Sequence, residues 1–355
     1  MARKTVDHDL PVAEALPALQ SALASGGRNA VLVAPPGAGK TTLVPLVLAE
    51  EDWAKAGRIL VLEPRRLAAR AASRRMASMM GEEVGQHVGH AMRMERRFGA
   101  ETRILVVTEG LLARMILDDP ELSGVSAILF DEYHERSLDA DFGLALALDV
   151  QSALRPDLRI LVMSATLDGA RVAKLLGDAP VIESRGRAYP VDIRYREHAP
   201  GTPVEQAVAD AAASILREEE GSALAFLPGL REIERAQALL EGRLPVDCDV
   251  IPLHGGLDGK AQDAAIRPAP VGRRKLVLAT SIAETSVTID GVRIVIDCGL
   301  SRQPVYEPAT GLTRLETVRA ARASVDQRAG RAGRTEPGIA LRLWRAEQTA
   351  ALPAF

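Results

Sequence analysis

A chain of 355 residues exceeds one ordinary hydrophobic core, so two domains of roughly 150–200 residues are expected. Its 47% hydrophobic and 26% charged residues exclude a disordered or fibrous class, and the net charge of −3 excludes a uniformly basic surface. Any grip on nucleic acid must come from a local basic groove and backbone groups. No run approaches the about 18–20 apolar residues of a membrane span, and the N-terminus lacks a basic-then-apolar leader, so a cytoplasmic monomer without membrane contact is expected. Aromatic residues make up only 3%, so the cores must rest on Val, Leu, Ile and Ala. Cys248 and Cys298 have no metal-ligand spacing and lie in or beside apolar runs, which predicts buried, reduced thiols.

In chain order, residues 1–27 read as an N-terminal segment with one helix over 11–25. Near-continuous apolar runs then predict strands at 31–35, 59–64, 104–110, 127–132 and 160–166, with helical patterns at 40–50, 65–80, 110–117, 138–154 and 168–177. After a break at SRGRAYP (184–190), strands are predicted at 191–195, 223–228, 249–254, 275–280, 292–297 and 339–344, with helices at 203–219, 229–242 and 259–266. Strand–helix alternation implies parallel sheets flanked by helices, and hence two α/β lobes over 28–185 and 190–355. Polar clusters close several strands at their C-terminal ends, the edge where open α/β sheets bind ligands.

The first cluster is APPGAGKTT, 34–42. Gly37 and Gly39 let backbone amides turn around phosphate oxygens, Lys40 can reach the β and γ phosphates, and Thr41 can offer its hydroxyl to Mg²⁺. Ala34 replaces the first glycine of the usual pattern. The plain alternative is a Gly-rich strand–helix turn. In FDEYHER, an apolar strand delivers Asp131 and Glu132, a pair suited to hold a metal and activate water; alone it could be a solvated turn. Ser164-Ala165-Thr166 closes the next strand, and in isolation reads as a helix cap. In QRAGRAGR, Arg328, Arg331 and Arg334 recur every third residue, and their guanidinium groups suit a phosphoryl transition state, where such a finger is worth about 10³–10⁵ in rate. The alternative there is a basic helix that binds RNA directly.

The succession APPGAGKTT, EPRRLAARAA, TEGLLARM, DEYH, SAT, LPGLREIE, LHGGL, ATSIAETSVTIDG and QRAGRAGR resembles the DEAH-box group of superfamily 2 helicases, over nearly the whole chain. DEYHER followed by SLDADFGLAL, together with DCGLSRQPVYEPATGLTRLETVRAARASVDQRAGRAGR, resembles the bacterial HrpB-type ATP-dependent helicases. The group's phosphate loop often begins with Ala, which accounts for Ala34. The resemblance implies two RecA-like P-loop lobes that close on ATP. It implies nucleotide binding by Pro36, Gly37, Ala38, Gly39, Lys40, Thr41 and Thr42, with Arg75, Ser286 and Asp290. Thr41, Asp131 and Glu132 would serve Mg²⁺, and Lys40, Asp131, Glu132, His134, Gln327, Arg331 and Arg334 the hydrolysis. Arg65, Arg66, Thr108, Gly110, Gly229, Thr280 and Ser281 would follow a single nucleic-acid strand, expected to be RNA with DNA as the alternative. Nine arginines against five acids in residues 63–103 agree with such a groove, although Arg70, Arg74 and Arg93 could equally form a solvated face.

Three positions depart from the pattern. Tyr133 stands for the usual Ala, and Ser281 for a usual Asn. The adenine-stacking pair would be Arg75 with Ile266 in place of an aromatic ring, which predicts comparable turnover of ATP and other nucleoside triphosphates. By resemblance, movement runs 3′ to 5′, and residues 301–315 are expected to form a hairpin that helps separate strands or holds the 5′ side. The group carries further C-terminal domains, so a chain ending at Phe355 is expected to grip RNA weakly and unwind poorly. Two other functions fit the same motifs: an ATP-gated RNA clamp or remodelling ATPase without unwinding, and a P-loop ATPase unrelated to nucleic acid. Strand displacement separates the first from a helicase; RNA stimulation of ATPase separates the second.

Overall fold

The computed structural model describes residues 10–24, 28–165, 169–184, 189–284, 289, 291–334 and 336–353. The chain divides into two compact units, Met1–Arg187 and Ala188–Phe355. The first runs α1 (Leu16–Ala24), β1 (Asn29–Val33), α2 (Lys40–Leu48), β2 (Arg58–Glu63), α3 (Arg66–Met80), β3 (Val88–Met92), β4 (Glu95–Arg97), β5 (Ile104–Thr108), α4 (Glu109–Asp118), β6 (Val125–Phe130), α5 (Leu138–Ala153), β7 (Arg159–Ser164), α6 (Gly169–Leu175) and β8 (Val181–Glu183). The second runs β9 (Val191–Tyr195), α7 (Val204–Glu218), β10 (Ser222–Phe226), α8 (Leu230–Leu240), β11 (Cys248–Leu253), α9 (Gly259–Ile266), β12 (Arg274–Ala279), β13 (Val292–Asp297), β14 (Leu300–Glu307), β15 (Leu312–Arg319), α10 (Arg322–Ala329), β16 (Gly338–Arg342) and α11 (Ala346–Ala350).

The first unit holds an eight-stranded sheet ordered β4-β3-β5-β2-β6-β7-β1-β8, parallel except where β4 folds back on β3. The apolar runs of β1, β2, β6 and β7 are buried on both faces, as strands between two helical layers must be. Leu19, Leu32, Leu43, Val61 and Met163 pack on one face; Val31, Leu60, Ile128, Phe130 and Leu144 pack on the other. The second unit has a six-stranded sheet, β11-β12-β10-β13-β16-β9, parallel throughout, plus the antiparallel hairpin β14-β15.

The expected helix over 11–25 opens as a 3-10 turn, Pro11–Ala15, before α1. Sequence reading missed the strands β3, β4 and β8. β3 reads VGHAM, whose polar His90 breaks the apolar run, yet the strand is fully buried because His90 Nδ1 pairs with Ser73 Oγ at 2.8 Å. The thiols Cys248 and Cys298 are free, and both are half-buried where full burial was expected. Burial pushes Cys248 up to about 11 and Cys298 up to about 12. Of the break at 184–190, residues 185–188 lie outside the described residues.

Candidate functional site

Sheet order places the chemistry. β7 alone separates β6 from β1, and β2 lies on the other side of β6. The register aligns Val33 with Ser164, Leu62 with Phe130 and Glu63 with Thr108. The residues that close these strands therefore form a row along the C-terminal edge of the sheet.

The phosphate loop leaves β1 at this edge. Ala34 is buried, and its N–H donates to Ser164 O at 3.0 Å, so a small residue fits the corner. Gly37 (φ 81°) and Gly39 (φ 94°) occupy left-handed backbone that a side chain would strain. At Gly39 space is also short, for a Cβ would stand 2.7 Å from Leu10 Cδ1. The N-terminal segment further braces the loop through the Val12 N–H, which donates to Ala38 O at 3.0 Å. Pro36 and Gly37 are exposed, Ala38 is buried, and Thr42 is half-buried. Gly39 caps α2, whose first amides suit an anion.

Lys40, the first residue of α2, donates from Nζ to Glu132 Oε1 at 2.9 Å, and the Thr41 hydroxyl donates to Asp131 Oδ2. Asp131 Oδ1 accepts the Glu132 N–H at 2.8 Å. Glu132 sits at φ 48°, a left-handed conformation that is unfavourable for a side-chain-bearing residue. The site is dry: Lys40 is 2% exposed, Asp131 2% and Glu132 6%. Burial pulls Lys40 down, but Glu132, Asp131 and Glu63 outweigh it and hold the ammonium above its ordinary value. Burial, opposed by Lys40, pushes Asp131 up to about 6. Burial also lowers His134, whose neutral ring accepts the Ala165 N–H on Nδ1 at 3.2 Å, joining the acids to the end of β7. Tyr133, the departure from the usual Ala, turns away from the acids; its ring meets Phe130 edge-on and its hydroxyl donates to Asp141 Oδ1 at 2.6 Å.

Sequence reasoning missed two glutamates here. Glu63 closes β2 and is fully buried, and neither carboxyl oxygen has a hydrogen-bond partner among the described residues. Burial, then Asp131 and Glu132, raise it well above an ordinary carboxyl. Its signal was the E of EPRR, a charge at the end of an apolar strand. Glu135, the E of HER, pairs with Arg65 Nη2 at 3.3 Å.

Among the strand-facing candidates, Arg66 and Gly110 are exposed, and Arg65 and Thr108 are half-buried at the same sheet edge. Arg70 is not a solvated arginine, since it is 8% exposed and donates from Nη2 to Glu95 Oε2 at 2.7 Å. Arg75 is exposed on α3. In the second unit, Thr280 and Ser281 follow β12, the first half-buried and the second exposed. Gly229 precedes α8 in extended backbone (φ −162°), so conformation does not require glycine there. Space there is tight without being closed: a Cβ would lie 2.8 Å from Arg302 Cζ and from Glu232 Oε2, the ends of two flexible side chains that can swing aside.

The repeated arginines divide by role. Arg328, 1% exposed, donates to Asp297 Oδ1 at 2.8 Å and Glu284 Oε2 at 3.1 Å, and its guanidinium lies 5.0 Å from the Phe226 ring centre. It pins the core of the second unit. Arg331 donates from Nε and Nη2 to Glu284 O at 2.9 and 2.6 Å, while Gln327 and Arg334 are half-buried. Thr166, Ser286 and Asp290 lie outside the described residues.

A glycine-turned loop after β1 and paired acids after β6, on a parallel sheet between helical layers, define a P-loop nucleoside-triphosphatase, and both units have the RecA-like form. The chain belongs to the DEAD/DEAH-box helicases: residues 13–175 match the DEAD/DEAH box helicase family and residues 207–336 the helicase conserved C-terminal domain. It is 52% identical over 339 residues to the ATP-dependent RNA helicase HrpB of Escherichia coli (strain K12), covering 96% of this chain and 42% of that protein. The crystal structure of the E. coli DEAH/RHA helicase HrpB is similar with a TM-score of 0.91 at 51% identity, over 98% of this chain and 44% of that one. That of the E. coli DExH-box NTPase HrpB is similar with a TM-score of 0.83 at 50% identity, over 100% of this chain and 43% of that one. The chain thus spans less than half the length of these relatives.

Proposed function

We propose that this chain hydrolyses ATP to move along single-stranded RNA, as an ATP-dependent RNA helicase of the cytoplasm acting as a monomer. The observation that carries the reading is the dry cluster in which Lys40 meets Glu132 and Thr41 meets Asp131 at the mouth of a left-handed glycine loop. Three buried carboxyls, Glu63, Asp131 and Glu132, surround one ammonium, and the oxygens of Glu63 are unbonded among the described residues. Such an excess of acid suits a divalent cation. Among the described residues no His, Cys, Asp and Glu group of three or more could hold a metal by itself. A Mg²⁺ at Thr41 and Asp131 therefore fits one that takes its other ligands from phosphates. When bound, it would neutralise charge on those phosphates.

In this reading Lys40 and the amides of Gly37 to Thr42 bind the β and γ phosphates. Glu132 takes the proton of the attacking water, and His134, whose Nδ1 accepts the Ala165 N–H, ties the turn that carries this acid to the end of β7. On the resemblance alone, Gln327 orients that water, Arg331 and Arg334 stabilise the transferring phosphoryl group, Ser286 senses it and Asp290 meets the ribose. Arg65, Arg66, Thr108, Gly110, Gly229, Thr280 and Ser281 follow the strand backbone. With Arg75 exposed and Ile266 in place of a ring, discrimination among nucleoside triphosphates is weak. The test is the turnover of ATP and GTP with and without single-stranded RNA and DNA, alongside strand displacement. RNA stimulation with unwinding supports the helicase, stimulation without unwinding an RNA clamp, and no stimulation removes nucleic acid from the reading. Arg331→Ala should lower turnover by about 10³-fold or more.

A further inference from the structure

Resting on the strand-motor reading above, the geometry points to Glu135 as a positioning residue that ties engagement of Arg65 by a nucleic-acid phosphate to the placement of Glu132. Glu135 Oε2 lies 3.3 Å from Arg65 Nη2, and its other oxygen, Oε1, is buried without a hydrogen-bond partner among the described residues. A phosphate on the strand would compete with this carboxylate for the same guanidinium. Losing Arg65 would leave Glu135, whose side chain is only 15% exposed, with neither oxygen satisfied. A half-buried carboxylate that loses its one partner is destabilised where it stands, which favours its moving toward solvent.

Its path is short. Glu135 ends a single 3-10 turn, Tyr133–Glu135, and its N–H donates to Glu132 O at 2.9 Å. That turn is bounded by two left-handed residues, Glu132 at φ 48° and Arg136 at φ 53°. A three-residue segment clamped between two unfavourable backbone conformations has little slack, so a shift at Glu135 is transmitted to Glu132. The second strand-facing turn reaches the same segment. Ser137 Oγ bonds Glu109 Oε2 at the start of α4, and a Cβ on Gly110 would meet Asp139 Oδ2 at 3.3 Å. Both strand-facing turns of the first unit are thus fastened to the few residues that follow the catalytic acids.

The experiment measures steady-state ATP turnover of the chain with and without saturating poly(U), and its affinity for poly(U), for wild type, Glu135→Gln and Glu135→Asp. In Glu135→Gln the ratio of stimulated to unstimulated turnover should fall at least about fivefold. Affinity for poly(U) should stay equal or tighten, because Arg65 loses its internal competitor. Glu135→Asp, which keeps the charge, should recover part of the ratio. A merely structural role would lower stimulation and affinity together and would show in the thermal melt; that pattern overturns the proposal. Should Glu135→Gln fail to fold, Glu135→Asp, with its shorter reach to Arg65, carries the test: its ratio should fall below wild type with affinity equal or tighter, and a wild-type ratio overturns the proposal. Wild-type stimulation retained in Glu135→Gln removes the coupling and leaves the motor reading intact. No stimulation of the wild type removes both.

Discussion

In the first unit three buried carboxyls, Glu63, Asp131 and Glu132, share one ammonium, that of Lys40. In the second, the Glu284 and Asp297 carboxylates are both taken by Arg328; the Ser324 hydroxyl adds a bond to Glu284 and the Gly299 N–H a second bond to Asp297 Oδ1, while Asp297 Oδ2 has no hydrogen-bond partner among the described residues. Arg331 adds a second guanidinium on the Glu284 carbonyl. Both clusters are nearly dry. The first sets three carboxyls against one ammonium and is strained at Glu132; the second sets two carboxylates beside two guanidiniums and is close to neutral, with one oxygen, Asp297 Oδ2, left unbonded among the described residues. Buried charge that is fully paired tends to fix a structure, whereas surplus charge of one sign marks a place where something charged is to bind. Three arginines of one repeat look interchangeable in the sequence, yet Arg328 belongs to the first kind of work and is walled off from solvent.

The contrast yields expectations in order of size. Glu132→Gln removes the carboxylate proposed as the general base and should lower ATP turnover by about 10²–10⁴-fold, while the thermal melt stays level or rises because surplus acid is relieved. A drop in stability would break the contrast. Arg328→Met should leave two buried carboxylates without their partner and cost the second unit about 3–5 kcal/mol in urea denaturation. Little change there would mean that Glu284 and Asp297 find other partners.

Glu63→Gln sharpens the first half of the contrast through pH. The carboxyl is raised well above its ordinary 4.5, so the folded chain keeps a proton that the unfolded chain has released. Wild-type stability should therefore decline as pH rises from the ordinary value toward the raised one, and the variant should lack that decline. Urea midpoints compared at pH 8 and near pH 4 check it: the variant is ahead at the first and level at the second. The smallest effect is expected from Gly229→Ala. The added methyl would push aside Arg302, whose pairing with Glu232 at 3.6 Å is partly exposed, so the loss should stay below about 1 kcal/mol by urea denaturation.

Much of this arrangement was legible along the chain because parallel strands buried on both faces announce themselves as unbroken apolar runs. β2, β6, β10 and β13 fall within a residue or two of where those runs lie. β3 was not legible, since a buried strand that contains His90 depends on Ser73 and Glu95, which lie outside it. The hairpin β14-β15 was anticipated as a hairpin over 301–315 only from resemblance; its exposed, mixed residues carry no alternation to read. Lys40, Thr41, Asp131 and Glu132 were recognisable because each ends or follows an element with the right neighbours. Glu63 showed only as a charge closing an apolar strand, and Glu135 not at all, for a sequence does not tell which way a carboxylate turns once its strand or turn is packed between others.

The two thiols have a practical consequence. Burial holds Cys248 and Cys298 far above neutral pH, so almost none of either exists as the reactive thiolate at pH 7. A cysteine introduced on an exposed helix face would react with a maleimide dye well before the native pair. The unaltered chain thus serves as its own background for fluorescent labelling, and one dye on each unit would let single molecules be followed through a turnover.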